Sequence, residues 1–342
     1  MSPAAMTDSH AVPCSVRDVA VNRLRRVVVT GAAGFIGGHL AERLVKAGVL
    51  VIGVDRRDPK HDAVAATNMD AVLRAPNFVF VPADLASCPV ESLLLDADAV
   101  FHLAGIPGVR PSWGPRFTDY AENNIVATQR LMEAAIRLGV PRVVVASSSS
   151  VYGPTLGAAE ETAATAPLSP YGVSKLAAES LCLAYARRAD SVTSVAALRY
   201  FTVYGPRQRP DMLIGRVLAA ALGGPPVRLY GGGDQCRDFT FVTDAVAATV
   251  AAATASAAGV FNIGAGRAAS VAEVVRIAGC ITGARIPTSP ATARDGDVPA
   301  TLSDPARARD ELGWSAQVDL VEGMTRHWQW LNTPAAPSVA VS

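Results

Sequence analysis

The segment Thr30-Gly31-Ala32-Ala33-Gly34-Phe35-Ile36-Gly37 decides the fold. It follows a β-branched run, Arg26–Thr30, that predicts a strand, and it opens a helical pattern that continues to Ala47. Three glycines spaced G-x-x-G-x-x-G between a strand and a helix are typical of a loop that binds the pyrophosphate of a dinucleotide, although this spacing is one residue longer at its start than the common fingerprint.

Each glycine has a physical role in such a loop. Gly31 permits the tight turn, Gly34 lets the backbone approach a pyrophosphate, and Gly37 lets the helix pack close to the strand. The helix N-terminus, with Phe35 and Ile36, supplies backbone amides and partial positive charge. The loop therefore predicts a dinucleotide cofactor, and a glycine turn without a ligand is the alternative.

An acidic residue, Asp55, follows the second predicted strand, Val49–Val54. A carboxylate there can accept hydrogen bonds from both ribose hydroxyls of NAD and would repel the 2′-phosphate of NADP. Arg56 and Arg57 come directly after it, and these cations keep NADP open as an alternative. The sequence predicts NAD.

The first half of the chain alternates short apolar strands with helical stretches. Further strands are predicted at Phe78–Val81, Ala99–Leu103 and Arg142–Ala146, and a long helical pattern covers Tyr120–Leu138. Near-continuous apolar strands between helices favour a parallel sheet that is buried on both faces. The prediction is an α/β, doubly wound (Rossmann) fold, whose ligands bind at the carboxyl ends of the strands.

After about Ala197 the elements become shorter and glycine and proline clusters more frequent, which is typical of a smaller C-terminal α/β lobe that closes over a substrate. The expected organisation is a flexible arm at 1–22, a dinucleotide-binding domain at 23–197, a mainly substrate-binding lobe at 198–332 and a flexible tail at 333–342.

Composition narrows the class of protein. The chain has 342 residues, 18% of them charged, and a net charge of +1 without a polybasic tract, so neither nucleic acid nor a membrane surface is an expected partner. The five cysteines are scattered singly and the five histidines show no metal-ligand spacing, so we expect no metal and a reducing compartment, the cytoplasm. No apolar run is long enough to span a membrane, and the first 22 residues lack the apolar core of a secretory signal.

A tyrosine and a lysine lie four residues apart in Tyr171-Gly172-Val173-Ser174-Lys175, at the start of a predicted helix. One helical turn places Tyr171 and Lys175 on the same face. A tyrosine, with its ordinary pKa near 10, acts as a base at neutral pH only where a cation stabilises the phenolate. The chain has only three lysines among its 31 basic residues, which makes Lys175 a stronger candidate. A serine at the end of the strand that begins at Arg142 can share the substrate oxygen with this tyrosine.

Taken together, these motifs resemble the extended short-chain dehydrogenases/reductases, the nucleotide-sugar epimerases and dehydratases. The resemblance runs from about Arg25 to Trp330. Its motifs are residues 30–37, Asp84-Leu85, His102-Leu103-Ala104-Gly105, Ser148 to Gly153, Tyr171 to Lys175, Arg199 to Gln208, Arg237-Asp238-Phe239 and Arg294-Asp295-Gly296-Asp297.

The resemblance implies a role for individual residues. Tyr171 is the base, Lys175 tunes it and holds the nicotinamide ribose, and Ser148 bonds the reacting hydroxyl. The cofactor residues that it implies are Gly31, Gly34, Phe35, Ile36, Gly37, Asp55, Arg56, Asp84, Leu85, Leu103, Ala104, Gly105, Tyr171, Lys175 and Tyr200. Arg237 and Arg294 clamp the nucleotide diphosphate, and surface charge is the alternative for both.

The residues after Ser148 favour one reaction of this family. NAD takes a hydride from sugar carbon 4, and the ketone can then lose water, lose CO₂ or turn over and be reduced on its other face. Related dehydratases carry an acid pair after the serine or threonine, and related decarboxylases usually carry a glutamate, whereas this chain has Ser149 and Ser150. The prediction is 4-epimerisation. A reductase is less favoured, because Asp55 disfavours NADPH.

The substrate is predicted to be UDP-glucuronate. Thr202 replaces the asparagine that is usual in UDP-glucose epimerases, and the segments Gly108–Ser112 and Arg207–Met212 resemble UDP-glucuronate 4-epimerases. The expected substrate residues are Arg110, Ser148, Ser149, Ser150, Tyr171, Thr202, Arg209, Arg237 and Arg294. Ser149, Ser150 and Thr202 offer hydroxyl donors, and Arg209 a cation, for the carboxylate of the sugar. In the alternative, these hydroxyls only cap the strand end and Arg209 binds the diphosphate.

Other functions stay open at this point. UDP-glucose and UDP-N-acetylglucosamine are the alternative substrates, and a non-catalytic NAD-sensing protein is the alternative class, although such proteins typically lose the tyrosine or the lysine. The resemblance also implies a homodimer, paired through the helices Tyr120–Leu138 and Pro170–Arg187.

Overall fold

The structure is a computed structural model that describes residues 23–292 and 298–333. The predicted arm at 1–22 and all but the first residue of the predicted tail at 333–342 lie outside the described residues, as does Arg294.

The strands alternate with helices through most of the chain. The strands are β1 (Arg26–Thr30), β2 (Leu50–Asp55), β3 (Phe78–Pro82), β4 (Ala99–His102), β5 (Arg142–Ser148), β6 (Ser194–Tyr200), β7 (Thr202–Tyr204), β8 (Val227–Tyr230), β9 (Cys236–Phe241), β10 (Gly259–Ile263), β11 (Ala268–Ser270), β12 (Thr288–Ala291) and β13 (Ala300–Thr301). The helices are α1 (Phe35–Lys46), α2 (Ala63–Met69), α3 (Val90–Leu94), α4 (Phe117–Tyr120), α5 (Ala127–Arg137), α6 (Pro170–Ala186), α7 (Leu213–Ala221), α8 (Val242–Thr254), α9 (Val271–Thr282), α10 (Ala306–Leu312) and α11 (Leu320–Leu331).

A parallel sheet forms the centre of the molecule, in the order β10-β6-β5-β4-β1-β2-β3. Its strands are apolar on both faces: Val27, Val28 and Val29 are all fully buried. Val27 and Val29 pack into one hydrophobic cluster and Val28 into another, because successive side chains of a strand point to opposite faces. Helices cover both faces, so the predicted doubly wound fold is confirmed.

The helices on the two faces follow from their apolar residues. Leu40 and Leu44 of α1 pack on the same side as Val242 of α8. On the other side lie Leu131 and Met132 of α5. The side chain of Arg142, the first residue of β5, donates to two carbonyl oxygens at and beyond the end of α8, a terminus that favours a cation.

A smaller lobe is built from the second half of the chain. In it β9 pairs with β7 and β13 in parallel and with β11 antiparallel, and β8 pairs with β12. The two lobes interleave along the chain, since the boundary expected at residue 197 falls inside β6 and strand β10 returns to the central sheet.

The predicted helix at Tyr120–Leu138 is interrupted. It consists of α4, a π-helical turn at Ala121–Val126, and α5. The strands predicted in the first half begin within one residue of the observed ones. Within 23–292 and 298–333, no helix is long and apolar enough to cross a membrane.

Candidate active site

A cavity of about 890 Å³ opens at the carboxyl ends of the central strands. Most of the residues that the sequence singles out line it. They are Gly31, Gly34, Phe35, Ile36, Gly37, Asp55, Arg56, Asp84, Leu85, Leu103, Ala104, Gly105, Ser148, Ser149, Ser150, Tyr171, Lys175, Tyr200, Thr202, Arg209 and Arg237. The structure therefore brings the predicted cofactor, catalytic and substrate residues together in one space.

One predicted substrate residue lies elsewhere. Arg110 is exposed in a 3₁₀ turn, does not line the cavity, and its guanidinium carbon lies 4.9 Å from the centre of the Tyr230 ring. The cause is the direction of the loop after β4, which turns Val109 toward the cavity and the next side chain away. The role predicted for Arg110 in substrate binding is not supported by this position.

The glycine loop fits a dinucleotide pyrophosphate. Gly31 has a φ of +71°, and a Cβ on Gly37 would stand 2.1 Å from the Gly31 carbonyl oxygen, so the helix can approach the turn only without a side chain there. Helix α1 begins at Phe35, after Gly34 at the N-cap position, with no side-chain cap and no acidic residue in its first turn. Its N-terminal amides therefore point to a site for an anion.

The carboxylate of Asp55 is held in place at the end of β2. It accepts hydrogen bonds from the backbone amides of Ala33, at 3.1 Å, and Arg57, at 3.0 Å. The Arg57 guanidinium lies 3.5 Å from the same carboxylate and donates to the Ala33 carbonyl. Arg56 also lines the cavity and donates to the Asn123 side chain at 3.1 Å. This end of the cavity thus offers one fixed carboxylate for ribose hydroxyls, which fits NAD.

A buried asparagine that the sequence analysis missed ties the site together. Asn124, only 1% exposed, lies in the π-helical turn. Its side chain accepts from the Ile106 amide at 2.7 Å and donates to the Ile106 carbonyl and the Ser174 hydroxyl. It thereby joins the loop after β4 to the helix that carries the tyrosine. Its signal in the sequence was a polar residue inside a helical pattern.

The predicted catalytic side chains meet where β5 ends and α6 begins. The hydroxyl of Ser148 lies close enough to Tyr171 to lower the pKa of the tyrosine. The ring of Tyr120 packs edge-on against Tyr171, with the centroids 6.2 Å apart. The ammonium of Lys175 donates to the Ala146 carbonyl at 2.9 Å.

Burial disfavours the charged forms of both Tyr171 and Lys175. It raises the pKa of Tyr171, an effect opposed by the hydrogen bond from Ser148 and by the positive charge of Arg209. It lowers the pKa of Lys175 to about 8. Tyr171 therefore carries its proton at neutral pH, and it can act as a base only where positive charge stabilises the phenolate.

A buried ion pair lies behind the serine strand end. Glu179, two helical turns after Tyr171, accepts from the Ser147 hydroxyl at 2.6 Å and from the Arg199 guanidinium at 2.6 and 3.0 Å. The guanidinium of Arg199 also lies over the ring of Tyr152. The pair fixes β5, β6 and α6 to one another directly beneath the hydroxyls that line the cavity.

Two arginines follow β7 and face different partners. Arg207, at φ +66°, donates to Glu42 of α1 at 2.8 Å and to the Asn68 carbonyl at 2.9 Å. Arg209 faces the cavity and forms a two-bond fork with the carboxylate of Asp211, at 2.8 and 2.9 Å. Arg207 therefore anchors the loop that carries Arg209 to the first lobe.

The remaining predicted residues take mixed positions. The Tyr200 hydroxyl bonds to Thr249 at 2.6 Å, so only the ring of Tyr200 is presented to the cavity. Arg237 lines the cavity and donates to the Cys236 and Pro299 carbonyls. Among the residues that the structure describes, no group of three or more histidine, cysteine or acidic side chains could hold a metal ion.

Comparisons with known proteins agree with this geometry. The NAD dependent epimerase/dehydratase family matches residues 27–264. YtcB of Bacillus subtilis strain 168, named an uncharacterized UDP-glucose epimerase, is 38% identical over 90% of this chain and 98% of its own length.

Solved structures are similar over almost their whole length. MoeE5 in complex with UDP-glucuronic acid and NAD is 48% identical, with a TM-score of 0.83, over 89% of this chain and 98% of that one. MoeE5 has also been solved with UDP-glucose and NAD. The UDP-glucuronic acid 4-epimerase of Bacillus cereus, in complex with UDP-glucuronic acid and NAD, is 37% identical, with a TM-score of 0.85, over 90% of this chain and 98% of that one.

Proposed function

The chain belongs to the NAD dependent epimerase/dehydratase family and is an NAD-dependent UDP-sugar 4-epimerase, and we propose that its substrate is UDP-glucuronate, which it converts to UDP-galacturonate. One observation carries the proposal. Ser149, Ser150, Thr202 and Arg209 line the same cavity as Tyr171, and hydroxyl donors with one guanidinium suit a sugar carboxylate.

Each residue of the site is assigned a separate role in the reaction. Bound NAD would supply reversible hydride transfer at sugar carbon 4, with removal and return on opposite faces giving epimerisation. Tyr171 takes the proton of the 4-hydroxyl and gives it back, while Ser148 holds the same oxygen. Lys175 contributes positive charge below the tyrosine and is available to the cofactor ribose. We assign the amides that begin α1 to the pyrophosphate and Arg237 to the diphosphate of the substrate.

The wall around the sugar disfavours elimination. Across the described part of the chain, the carboxylates that line the cavity are Asp55 and Asp84, which follow β2 and β3. The serines of the sugar side lie at the end of β5, three positions from β2 and four from β3 in the sheet. Neither of these two carboxylates lies on the sugar side, and we therefore propose that the ketone turns over and is reduced again.

A firm hold on the carboxylate has a chemical purpose. A 4-ketouronate is a β-keto acid and loses CO₂ when the bond to its carboxylate aligns with the ketone π-system. We propose that Ser149, Ser150, Thr202 and Arg209 hold the carboxylate out of that alignment.

UDP-glucose is the second candidate substrate. Arg209 already has a counter-ion in Asp211, so a sugar without a charge can occupy the cavity and leave no unpaired cation. YtcB is named for UDP-glucose, which supports the same candidate.

Product analysis tests the substrate. The purified enzyme with NAD⁺ is incubated separately with UDP-glucuronate, UDP-glucose and UDP-N-acetylglucosamine, and products are read by chromatography and proton NMR. UDP-galacturonate without CO₂ or net NADH is expected. Turnover of neutral sugars alone would refute the carboxylate site and return Arg209 to the diphosphate.

A substitution pair tests the carboxylate site itself. Arg209→Ala should raise the KM for UDP-glucuronate at least ten-fold, or release UDP-pentose, because a charge-assisted hydrogen bond contributes about 1.5–3 kcal/mol. Arg74→Ala, an exposed arginine outside the cavity, is the matched control.

The homodimer and the cytoplasmic location also stay proposals. Exposed apolar side chains lie on the surface of the helical segments expected to pair, with Val126 44% and Val173 46% exposed. We propose that a second copy covers them. Light scattering of the purified protein should give twice the chain mass, and Val173→Asp should give the single mass.

A further inference from the structure

Asp211 occupies two hydrogen-bond donors of Arg209, a guanidinium that lines the cavity. The guanidinium offers its Nε and one terminal nitrogen to the two Asp211 oxygens, at 2.9 and 2.8 Å. A uronate carboxylate would use the same planar fork, because guanidinium recognises carboxylates through two parallel hydrogen bonds.

A second arginine–aspartate fork shows that this geometry by itself does not indicate a binding site. Arg188 and Asp190 have the same spacing and the same two bonds, at 3.0 and 2.8 Å, but lie on the surface outside the cavity. Spacing alone therefore gives the fork. Only Arg209 combines it with a place in the cavity wall and with a charge that acts on the hydroxyls of Tyr171 and Tyr120.

The two partners differ in their freedom to move. The Arg209 side chain is 35% exposed, whereas that of Asp211 is 65% exposed. Elsewhere in the described residues the Arg209 guanidinium has one further hydrogen-bond contact, the Met212 sulfur at 3.9 Å. The loop itself is anchored by Arg207 to α1. Asp211 can thus swing into water while the backbone stays in place.

We infer that Asp211 is a specificity-determining residue: it serves as an exchangeable counter-ion for Arg209, is displaced by the carboxylate of UDP-glucuronate and stays in place when a neutral UDP-sugar binds. The inference rests on the proposed function. Two carboxylates on one guanidinium repel each other, so the substrate carboxylate and Asp211 compete for Arg209. Displacement of Asp211 weakens binding of UDP-glucuronate. When a neutral UDP-sugar binds, Asp211 stays paired with Arg209, so no unpaired cation is left in the site.

Binding without turnover provides the test. Isothermal titration calorimetry measures the Kd values of UDP-glucuronate and UDP-glucose for the NAD-loaded Tyr171→Phe protein, with and without Asp211→Asn. Removing the competing charge should tighten UDP-glucuronate and weaken UDP-glucose, so that the ratio of the two Kd values changes at least five-fold in favour of the uronate. Asp190→Asn, in the surface fork, should leave the ratio unchanged.

The outcomes separate the two proposals. Failure of Tyr171→Phe to bind UDP-glucuronate overturns both, since no substrate carboxylate would then reach Arg209. Binding of both sugars with a ratio that Asp211→Asn moves less than two-fold overturns the exchange and leaves the proposed substrate standing. The same substitution is also made in the Arg209→Ala protein. There Asp211→Asn should no longer change the ratio of the two Kd values, and a persisting change would also overturn the exchange.

Discussion

Arg199 and Glu179 form an ion pair 2.6 Å long whose side chains are only 6% and 3% exposed. The hydroxyl of Ser147 completes the environment of the carboxylate. Such a pair contributes little to the stability of the fold compared with well-packed apolar residues. Removing one partner, however, leaves an uncompensated charge in a dry interior.

Glu179→Gln should therefore destabilise the protein by about 3–5 kcal/mol, the range for breaking a buried pair from one side. Urea unfolding of both proteins gives the difference. Asp190→Asn, in the exposed pair with Arg188, is the control and should leave the free energy of unfolding nearly unchanged. Equal effects of the two substitutions would show that burial does not decide the contribution.

Lys175 makes stability depend on alkaline pH. Burial lowers its pKa from 10.5 to about 8, so between these values the unfolded chain binds a proton that the folded protein lacks. The contribution of this site to stability therefore rises with pH through that window. Relative to Lys175→Met, the ligand-free protein should gain roughly 2 kcal/mol between pH 7 and pH 9.5 by urea unfolding. A constant difference between the two proteins would contradict the lowered pKa.

Acid should weaken the fold through its buried histidines. Burial lowers the pKa of His102 to about 3 and those of His39 and His327 to about 4, below the ordinary value of 6.5. The unfolded chain therefore takes up protons first, and stability falls as the pH drops from 6.5 toward 4.

A pair of variants isolates one of these groups. His327→Leu should lose about 2 kcal/mol less than the unsubstituted protein between pH 7 and pH 5, because it has one such proton fewer to exclude. His61→Leu, at an exposed position, should follow the unsubstituted protein. Parallel stability curves for His327→Leu and the unsubstituted protein would rule out the effect.

Asp55 should set the preference for NAD. Asp55→Ala removes the carboxylate expected to accept the ribose hydroxyls and should raise the Kd for NAD about 10- to 150-fold, the equivalent of 1.5–3 kcal/mol for a charged hydrogen bond. It also frees the Arg57 guanidinium, so the Kd for NADP should fall relative to that for NAD.

Asp55→Asn separates charge from hydrogen bonding. It should lose less NAD affinity than Asp55→Ala and still accept NADP better than the unsubstituted protein. Fluorescence titration of the cofactor-free proteins gives both constants, and Asp70→Ala, at an exposed position, is the control. An unchanged ratio of NAD to NADP affinity in both variants would show that Asp55 does not discriminate between them.

The parts of the site that repeat a local pattern could be predicted from the sequence. The glycine loop, Asp55 and the spacing of Tyr171 and Lys175 lie within one strand, turn or helical turn, so their neighbours in the chain determine their place. The parallel strands then bring their ends to one edge, which is why the cavity contains almost all of the predicted residues.

Contacts between distant segments could not be predicted. Arg207 meets Glu42 across 165 residues and Asn262 meets Glu161 across 101, and no periodic pattern connects them. The direction of a side chain on a loop also cannot be read from a sequence: Arg110, predicted to bind substrate, lies over the ring of Tyr230.

The return of β10 to the central sheet has a consequence during synthesis on the ribosome. Strand β6 pairs with β5 on one side and with β10 on the other, and β10 ends 63 residues after β6 does, at Ile263 against Tyr200. At about 5–20 residues per second, the outer edge of β6 waits roughly 3 to 13 seconds for its partner. During that interval each nascent chain carries an unpaired apolar strand that neighbouring nascent chains on the same messenger RNA can pair with. The yield of folded enzyme therefore depends on how fast residues 201–263 are translated.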